Sequence, residues 1–322
     1  VIIEEAGEIE ESNERQRMAS VSLTLVEAGG GSKIKASIVP AAVLAKAALA
    51  AGDAAVADFA AGYAVGLADS FAAAAKAIGG VSDKIDAVNN KVAAALGIAD
   101  GVVAAMDILK EQALTLVATP ASLATTLRAL LSAAVNLLGL TGGVEEQYPG
   151  QAAKIATDTA LAAAQDLGTL DVTAEPPYPG GPLHPQTRSA TRAIGKTVRT
   201  HSVIACISLF GTGLVPESTT AAADVVAVLG GLVEQLLVDE TTSDDLTAAL
   251  TDLRAALQQQ LNAIAGQLPT TSTYTPPGSV PAILIAWQLH GDPTRDLELV
   301  ARNDVLDPNF VPGGEPLEIL NA

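Results

Sequence analysis

The sequence predicts a mainly α protein that begins with a β-hairpin and ends in a small βααβ module. Apolar residues make up 49% of the 322 residues, but aromatic residues only 3%. That composition is typical of alanine-rich helices that pack closely through small side chains. The two ends of the chain differ from this pattern, with alternating residues at the N-terminus and proline-rich turns at the C-terminus.

Residues 1–29 are predicted to form a β-strand segment. The stretch SVSLTLV alternates apolar and hydroxyl side chains, which is the period of a half-buried strand. The opening VIIEEAGEIEES can pair with it as a hairpin across NERQR. Its acidic residues stand where a secretory signal carries cations, so no such signal is expected. Because a two-stranded ribbon is marginal in water, we expect it to pack on another chain or on further residues.

Residues 30–174 are predicted to form an alanine-rich helical region. Gly79 and Gly80 are predicted to end a first long helix, and Ser82 is predicted to cap the next. Thr119 and Pro120 provide the N-cap and the first-turn proline of another helix. A further helix is predicted over roughly residues 145–168.

A connector at 175–185, EPPYPGGPLHP, separates this region from a second helical region at 186–269. Ser243 is predicted to cap the last long helix. Leucine and isoleucine recur along that helix in a seam of nearly heptad spacing. The seam consists of Leu246, Leu250, Leu253, Leu257, Leu261, Ile264 and Leu268. Packing within the chain is the favoured interpretation, and a coiled-coil contact in a homo-oligomer is the alternative.

The charge balance and the shortage of catalytic and metal-binding motifs in the sequence argue against an enzyme. With 36 acidic and 18 basic residues the formal net charge is -18, which disfavours direct DNA binding. One cysteine and three scattered histidines offer no metal-ligand spacing, and no phosphate loop or nucleophile elbow is found, so neither a metal nor a cofactor is expected. The acidic N-terminal stretch is expected to be a solvated face or a contact for a basic partner.

Stable membrane insertion is not expected. The apolar run SVIACISLFGTGLV at 202–215 is shorter than the roughly 20 residues that a spanning helix needs. A longer run, AAADVVAVLGGLVEQLLV, carries Asp224 and Glu234.

One basic stripe stands out against the acidic background. In HPQTRSATRAIGKTVRTH the spacing places four cations on one helical face, opposite Ala190, Ile194 and Val198. The stripe consists of Arg188, Arg192, Lys196 and Arg199. Two interpretations stay open: a face that is solvated or paired with the protein's own acids, and a docking surface for an acidic neighbouring subunit or for nucleic acid.

Residues 270–322 are predicted to form the βααβ module. A strand at 271–275 leads into a helix capped by Ser279, and the corner HGDPTR begins a second helix that ends near Asn303. Leu317 and Ile319 of the closing strand are predicted to face the core.

This order of elements resembles a LysM domain. The resemblance rests on PPGS, LIAWQLHGD, ELVARN and DPNFVPGGEPLEI. It implies a docking groove formed by Pro277, Gly278, Ser279, Asn309, Phe310, Pro312 and Gly313. The glycine-aspartate pair usual before the first helix is missing, and glycine replaces the glutamine that commonly follows the proline-glycine pair. Protein docking is therefore favoured over glycan binding.

The blocks VSLTLVEAGG and IAWQLHGDPTRDLELVARNDVLDPNFVPGGEPLEIL resemble the tail proteins of Mu-like phages that are known as DNA circularisation, or N, proteins. The resemblance implies that residues 1–29 end an N-terminal β-domain. It also implies a structural protein of the virion at the tail tip or baseplate, with hub, tube or tape-measure proteins and further copies of itself as partners. The alternatives are an injected protein that protects or circularises DNA, and a peptidoglycan-binding virion protein.

Overall fold

The structure is a computed structural model of the chain. It describes residues 2–6, 10–11, 19–20, 23–26, 39–63, 68–96, 111–112, 115–136, 151–172, 184–303 and 305–321. The chain divides into two compact units, Val1–Ser37 and Ile38–Ala322. The predicted mainly α class is confirmed. The predicted connector at 175–185 lies outside the described residues, apart from its last two positions.

The N-terminal unit contains the predicted antiparallel hairpin. Strand β1 (Ile2–Ala6) pairs with β4 (Leu23–Val26), so that Ile2 lies opposite Val26 and Ala6 lies opposite Leu23. Two shorter strands, β2 (Glu10–Glu11) and β3 (Ala19–Ser20), pair antiparallel as a separate two-stranded sheet. The pairing of the opening stretch with the alternating stretch is thus confirmed.

Within the described residues, seven long helices form the main body of the second unit. They are α1 (Val39–Gly62), α2 (Ala68–Leu96), α3 (Pro120–Asn136), α4 (Ala152–Gly168), α5 (Pro185–Thr212), α6 (Thr219–Leu237) and α7 (Asp244–Ala265). Their buried residues form one continuous core that extends from Leu44 to Leu261. The helices on both sides of the predicted connector therefore share a single core.

Helix α5 lies at the centre of this bundle. Within the described part of the chain it contacts each of the other six long helices. Most of its residues are buried, including Ile194, Val198 and Phe210. At Gly211 a Cβ atom would lie 3.3 Å from the backbone nitrogen of Ala45, which shows how closely α5 and α1 approach each other. The amphipathic helix that the sequence predicts here is thus the most enclosed helix of the bundle.

The predicted helix end at Gly79 and Gly80 is wrong. Helix α2 runs through both glycines, and Ser82, the predicted cap, lies inside it. Two glycines in a helix interior cost about 2 kcal/mol in helix propensity. Buried Ile78, Val81 and other apolar residues on either side of them pack into the core and outweigh that cost.

Two other helix starts agree with the sequence prediction. Helix α3 begins at Pro120. Proline has no backbone N–H, but N–H groups in the first turn have no acceptor within the helix, so no helical hydrogen bond is lost. The Ser243 side chain caps α7 by accepting a hydrogen bond from the Leu246 N–H at 3.4 Å. Five leucines of the predicted seam, from Leu246 to Leu261, are buried within the chain, where α7 contacts α1 and α6. Packing within the chain, the favoured interpretation of the seam, is thus what the structure shows for these leucines. Helix α7 ends at Ala265, so the predicted seam is wrong for Leu268, which lies beyond the helix.

Helix α6 is the one helix in the described residues that is long and apolar enough to cross a membrane, by length and composition alone. In this structure it packs in the bundle against α4 and α7. Val225, Leu229 and Val233 of α6 are fully buried in the shared core.

Two chemically distinctive side chains are enclosed within α5. His201 is 2% exposed, and neither ring nitrogen has a hydrogen-bond partner among the described residues. Burial, with a smaller contribution from the Arg128 charge, lowers the pKa of His201 to about 3. Cys206 is fully buried, and burial raises the pKa of its thiol to about 12. Both groups are therefore neutral at physiological pH.

The C-terminal module has the predicted βααβ order. Strand β5 (Thr270–Tyr274) leads to α8 (Ala282–His290), a short 3₁₀ turn (Pro293–Arg295), α9 (Asp296–Arg302) and strand β6 (Leu317–Asn321). The two strands pair antiparallel with Tyr274 opposite Leu317. Leu317 and Ile319 are buried, as the alternation predicts. They join a small separate core with Ala282, Ile285, Leu299 and Val311.

Turn chemistry closes the module. Gly291 takes a left-handed conformation (φ 69°) and its N–H donates to the Trp287 carbonyl, which ends α8. The Asp292 carboxylate accepts hydrogen bonds from the backbone and side chain of Thr294, which begins the 3₁₀ turn. Asn303 bonds to the backbone N–H and carbonyl of Glu318, and so fastens the end of α9 to β6.

The module is fastened to the bundle by a nearly buried arginine. The Arg302 guanidinium donates to both carboxylate oxygens of Glu217, at 2.8 Å each, and its side chain is 1% exposed. The same arginine reaches Glu318 of β6 at 3.0 Å. The Thr219 N–H at the start of α6 donates to the Pro269 carbonyl just before β5. The module is therefore held to the bundle at the start of α6.

Protonation of His201 should weaken the fold as the pH falls. The unfolded chain binds a proton near the ordinary histidine pKa of 6.5, whereas the folded chain binds it only near 3. The unfolding free energy should therefore fall by up to about 1.4 kcal/mol per pH unit as the pH drops through that window. Urea unfolding of the wild type and His201→Leu, between about pH 4.5 and 7, measures the difference in slope.

His184→Asn is the control, because His184 is exposed and asparagine can keep its N-cap role on α5. The His184→Asn chain should keep the part of the slope that is lost in His201→Leu. A His201→Leu chain with the wild-type slope would contradict the assignment to His201.

Replacing Arg302 should separate the stability of the module from that of the bundle. Arg302→Met leaves the nearly buried Glu217 without its partner, which should cost about 3 kcal/mol. Trp287, the only tryptophan, lies in the module, so its fluorescence reports module unfolding, while far-UV circular dichroism reports mainly the bundle. We expect the fluorescence transition of Arg302→Met to move to lower denaturant than the circular dichroism transition.

Arg254→Met removes an arginine from an ion pair with Glu234 in which both side chains are more exposed. It should leave the two transitions together, within about 0.5 kcal/mol of the wild type. If the transitions of Arg302→Met coincide as well, Arg302 does not hold the module to the bundle.

Candidate functional site

A cleft of about 310 Å³ lies beside the first three turns of α5. Helix α1 supplies one wall with Asp58, Phe59 and Gly62, and the segment before α7 contributes Thr241. Helix α5 supplies the rest with Pro185, Arg188, Ser189, Arg192, Ala193, Lys196 and Thr197. Three of the four residues in the predicted basic stripe therefore line one cavity.

The stripe divides into a paired half and an open half. In the paired half Lys196 is 6% exposed, and its ammonium lies 2.8 Å from the Asp58 carboxylate and donates to the Thr241 carbonyl at 2.7 Å. Asp58 also accepts from the Ser243 N–H at 2.8 Å. This end of the cleft is thus a satisfied ion pair that ties α1, α5 and the start of α7 together.

Arg199 completes the paired half through a looser contact with Asp239 at 3.8 Å. Burial alone would raise the pKa of the Asp239 carboxyl, but hydrogen bonds from Thr241 and the charges of Lys196 and Arg199 hold it below its ordinary value. Asp239 therefore stays ionised at physiological pH and balances a stripe charge.

Arg188 and Arg192 form the open half. Both are exposed, and neither guanidinium has a hydrogen bond or ion pair to any other residue that the structure describes. They lie one helical turn apart on α5, so that their guanidinium groups can reach the same ligand. The two interpretations of the stripe therefore apply to different residues. Lys196 and Arg199 are paired with the protein's own acids, whereas Arg188 and Arg192 form a surface that is open to an anion.

The predicted groove residues of the module come together in space. The turn at Pro277 and Gly278 packs against the turn at Pro312 and Gly313, since a Cβ on Gly313 would lie 2.4 Å from the Gly278 Cα. A backbone bridge joins Val280 to Val311, and Pro277, Asn309, Phe310 and Pro312 are exposed beside it. Ser279 is exposed but does not cap α8, so that part of the prediction is wrong. The Ala282 N–H donates instead to the Pro308 carbonyl at 2.7 Å.

Helix α8 leaves an apolar face exposed, which was not among the predicted site residues. Ile283, Leu284 and Trp287 are 51%, 39% and 58% exposed, and Phe310 beside the start of α8 is 64% exposed. The signal was present in AILIAWQLH, whose apolar residues exceed the number that one buried face of a short helix can hold. Exposed aromatic residues of this kind commonly anchor protein interfaces.

Metal-ion binding finds no support among the described residues, which contain no group of three or more histidine, cysteine, aspartate or glutamate side chains able to hold an ion. The described surfaces present two unpaired arginines, Arg188 and Arg192, at the cleft and an exposed apolar face on α8.

Breaking the Lys196–Asp58 pair should destabilise the bundle. Both side chains are at most 10% exposed, so Lys196→Met leaves a carboxylate uncompensated and should cost about 3 kcal/mol. The double variant Asp58→Asn with Lys196→Met should cost less than the sum of the single changes, with a coupling of about 1 kcal/mol or more. Chemical denaturation of the four proteins measures it.

Lys91→Met provides the comparison, since Lys91 and Asp166 form a solvent-exposed pair. It should change the unfolding free energy by less than about 1 kcal/mol. Additive effects at Lys196 and Asp58 would show that the two charges do not stabilise each other.

The comparison with known proteins leaves the chain without a family assignment. It matches no protein-family model, and a search of curated proteins finds no match.

Proposed function

We propose that the chain is a structural protein of a bacteriophage tail, located in the virion at the tail tip or baseplate as a hub or tube adaptor. Its helical bundle is the scaffold, and its LysM-like module docks onto another tail component, such as a hub, tube or tape-measure protein. The resemblance of the terminal blocks VSLTLVEAGG and IAWQLHGDPTRDLELVARNDVLDPNFVPGGEPLEIL to tail proteins of Mu-like phages supports this proposal.

The observation that carries the docking role is the construction of the module. Arg302 binds Glu217 through two hydrogen bonds and holds the module to the bundle. Trp287 and Ile283 remain exposed on α8, outside the small core. A rigidly held apolar face loses little conformational entropy on binding, which is the property that an adaptor requires.

The bundle is proposed to assemble with further copies of itself. Leu49 is 60% exposed and Val238 is 79% exposed on the helical bundle. Homo-oligomerisation would remove such surface from water.

Two alternatives belong to other functional classes. A peptidoglycan-binding virion protein would use the groove between the turns at Gly278 and Gly313, which departs from the glycan-binding pattern. An injected protein that protects or circularises DNA would need many phosphate contacts, and a net charge of -18 disfavours them. Neither class gives the exposed face of α8 a role.

The proposal is tested with particles of a phage that encodes the chain. Mass spectrometry of purified virions should find the chain at a defined copy number. Trp287→Ser combined with Ile283→Ser should lower its incorporation by about tenfold or more, because exposed aromatic anchors carry much of an interface's binding energy. The unfolding free energy should change by less than about 1 kcal/mol, since both side chains are largely exposed.

Gln288→Ser is the matched control, since Gln288 is an exposed polar residue of the same helix. It should leave incorporation unchanged. Absence of the wild-type chain from virions contradicts the tail assignment, whereas normal incorporation of the double variant contradicts only the docking role of α8. Retention on purified cell-wall sacculi, or a shift of linear DNA at low salt, would favour the corresponding alternative.

A further inference from the structure

We propose that the cleft beside α5 binds the carboxylate side chains of an acidic peptide segment on a protein partner. This inference goes beyond the proposed tail function, because it concerns a different surface and assigns it a ligand of defined chemistry. It rests on the charges, the shape and the enclosure of the cleft.

Most arginines among the described residues are paired with carboxylates. Seven arginines lie there, and five of them have a carboxylate partner within 4 Å: Arg128, Arg199, Arg254, Arg295 and Arg302. The two without such a partner are Arg188 and Arg192. In a chain with twice as many acids as bases, the two arginines left open are neighbours that line the same cavity.

The cleft carries a net positive charge. The titratable residues that line it are Asp58, Lys196, Arg188 and Arg192. Lys196 and Asp58 neutralise each other at 2.8 Å, so the charge that faces a ligand comes from the two arginines. Because Lys196 already donates to Asp58 and Thr241, it holds the cleft together and is not the primary anion contact.

The cleft is small. A volume of about 310 Å³ is at the lower limit of small-molecule pockets, and it suits one or two acidic side chains. Each guanidinium can grip a carboxylate through two parallel hydrogen bonds.

The same dimensions disfavour nucleic acid. A duplex is typically held by several phosphate contacts spread along a surface, and here two cations stand in a chain of net charge -18. A short acidic segment needs only the two arginines. The acidic peptide is therefore the occupant that the charges and volume favour.

The test is fluorescence anisotropy of the whole chain with a fluorescein-labelled hexaglutamate peptide at low salt. Saturable binding to the wild type is expected. Arg188→Gln combined with Arg192→Gln should weaken it by about tenfold or more, since loss of one charge-assisted hydrogen bond corresponds to about that factor. Replacing both arginines with lysine should give an intermediate affinity, because lysine keeps the charge but loses the two-pronged grip.

The matched control is Lys46→Gln with Lys84→Gln, which removes two exposed cations elsewhere and gives the same net charge. It should bind the peptide as the wild type does. Circular dichroism melting checks that all variants are folded, which is expected because both arginines are exposed.

Three results overturn the proposal. They are no saturable binding of hexaglutamate to the wild type, equal weakening in the two glutamine variants, and tighter binding of a single-stranded oligonucleotide of matched charge that depends on Arg188 and Arg192. The last result would assign the cleft to nucleic acid. None of them bears on whether the chain is incorporated into virions, so the two proposals can fail separately.

Discussion

The bundle depends on burying α5, a helix whose own sequence is rich in polar residues. Thr191 and Ser202 are enclosed because each hydroxyl donates to the carbonyl one turn earlier, at 2.8 and 2.7 Å. Lys196 is enclosed because Asp58 of α1 meets it. With these groups satisfied, the small residues of α5 let its neighbours approach closely, as Gly211 does beside Ala45. The other six long helices can then share one core around it.

Local signals in the sequence predicted much of the fold. The hairpin follows from strand alternation, the starts of α3 and α7 from Pro120 and Ser243, and the order of the C-terminal module from its turns. Each of these features is decided by a few neighbouring residues. The break predicted at Gly79 and Gly80 failed because tertiary burial outweighs a local propensity.

Features that depend on distant partners could not be predicted. The basic stripe is visible in the sequence, but its division is not, because Asp58 and Asp239 reach Lys196 and Arg199 only in the folded bundle. The same holds for Ser279, whose predicted capping role passes to the Pro308 carbonyl across the module. Sequence periodicity shows which residues share a helix face. Which residues pack against that face is decided only when the chain folds.

Under the two proposals, recognition is divided between two kinds of chemistry. The module has a small core of its own and is attached to the bundle through Arg302 and Glu217, and apolar side chains of α8 stay exposed outside that core. The cleft beside α5 offers two arginines above a neutralised ion pair. Apolar contact supplies most of the binding energy in such interfaces, and paired charges add specificity. A protein with both surfaces can select partners by shape at one site and by charge at the other.

The enclosure of Cys206 has a practical consequence for labelling. A thiol that is fully buried and has a pKa near 12 presents almost no thiolate to maleimide or iodoacetamide reagents while the chain is folded. Because it is the only cysteine in the sequence, a cysteine introduced at an exposed position becomes the single reactive sulfur without removal of the native one. Spin labels or fluorophores can therefore be attached selectively to the module or to the bundle, and distances between labelled positions become measurable on an otherwise native sequence.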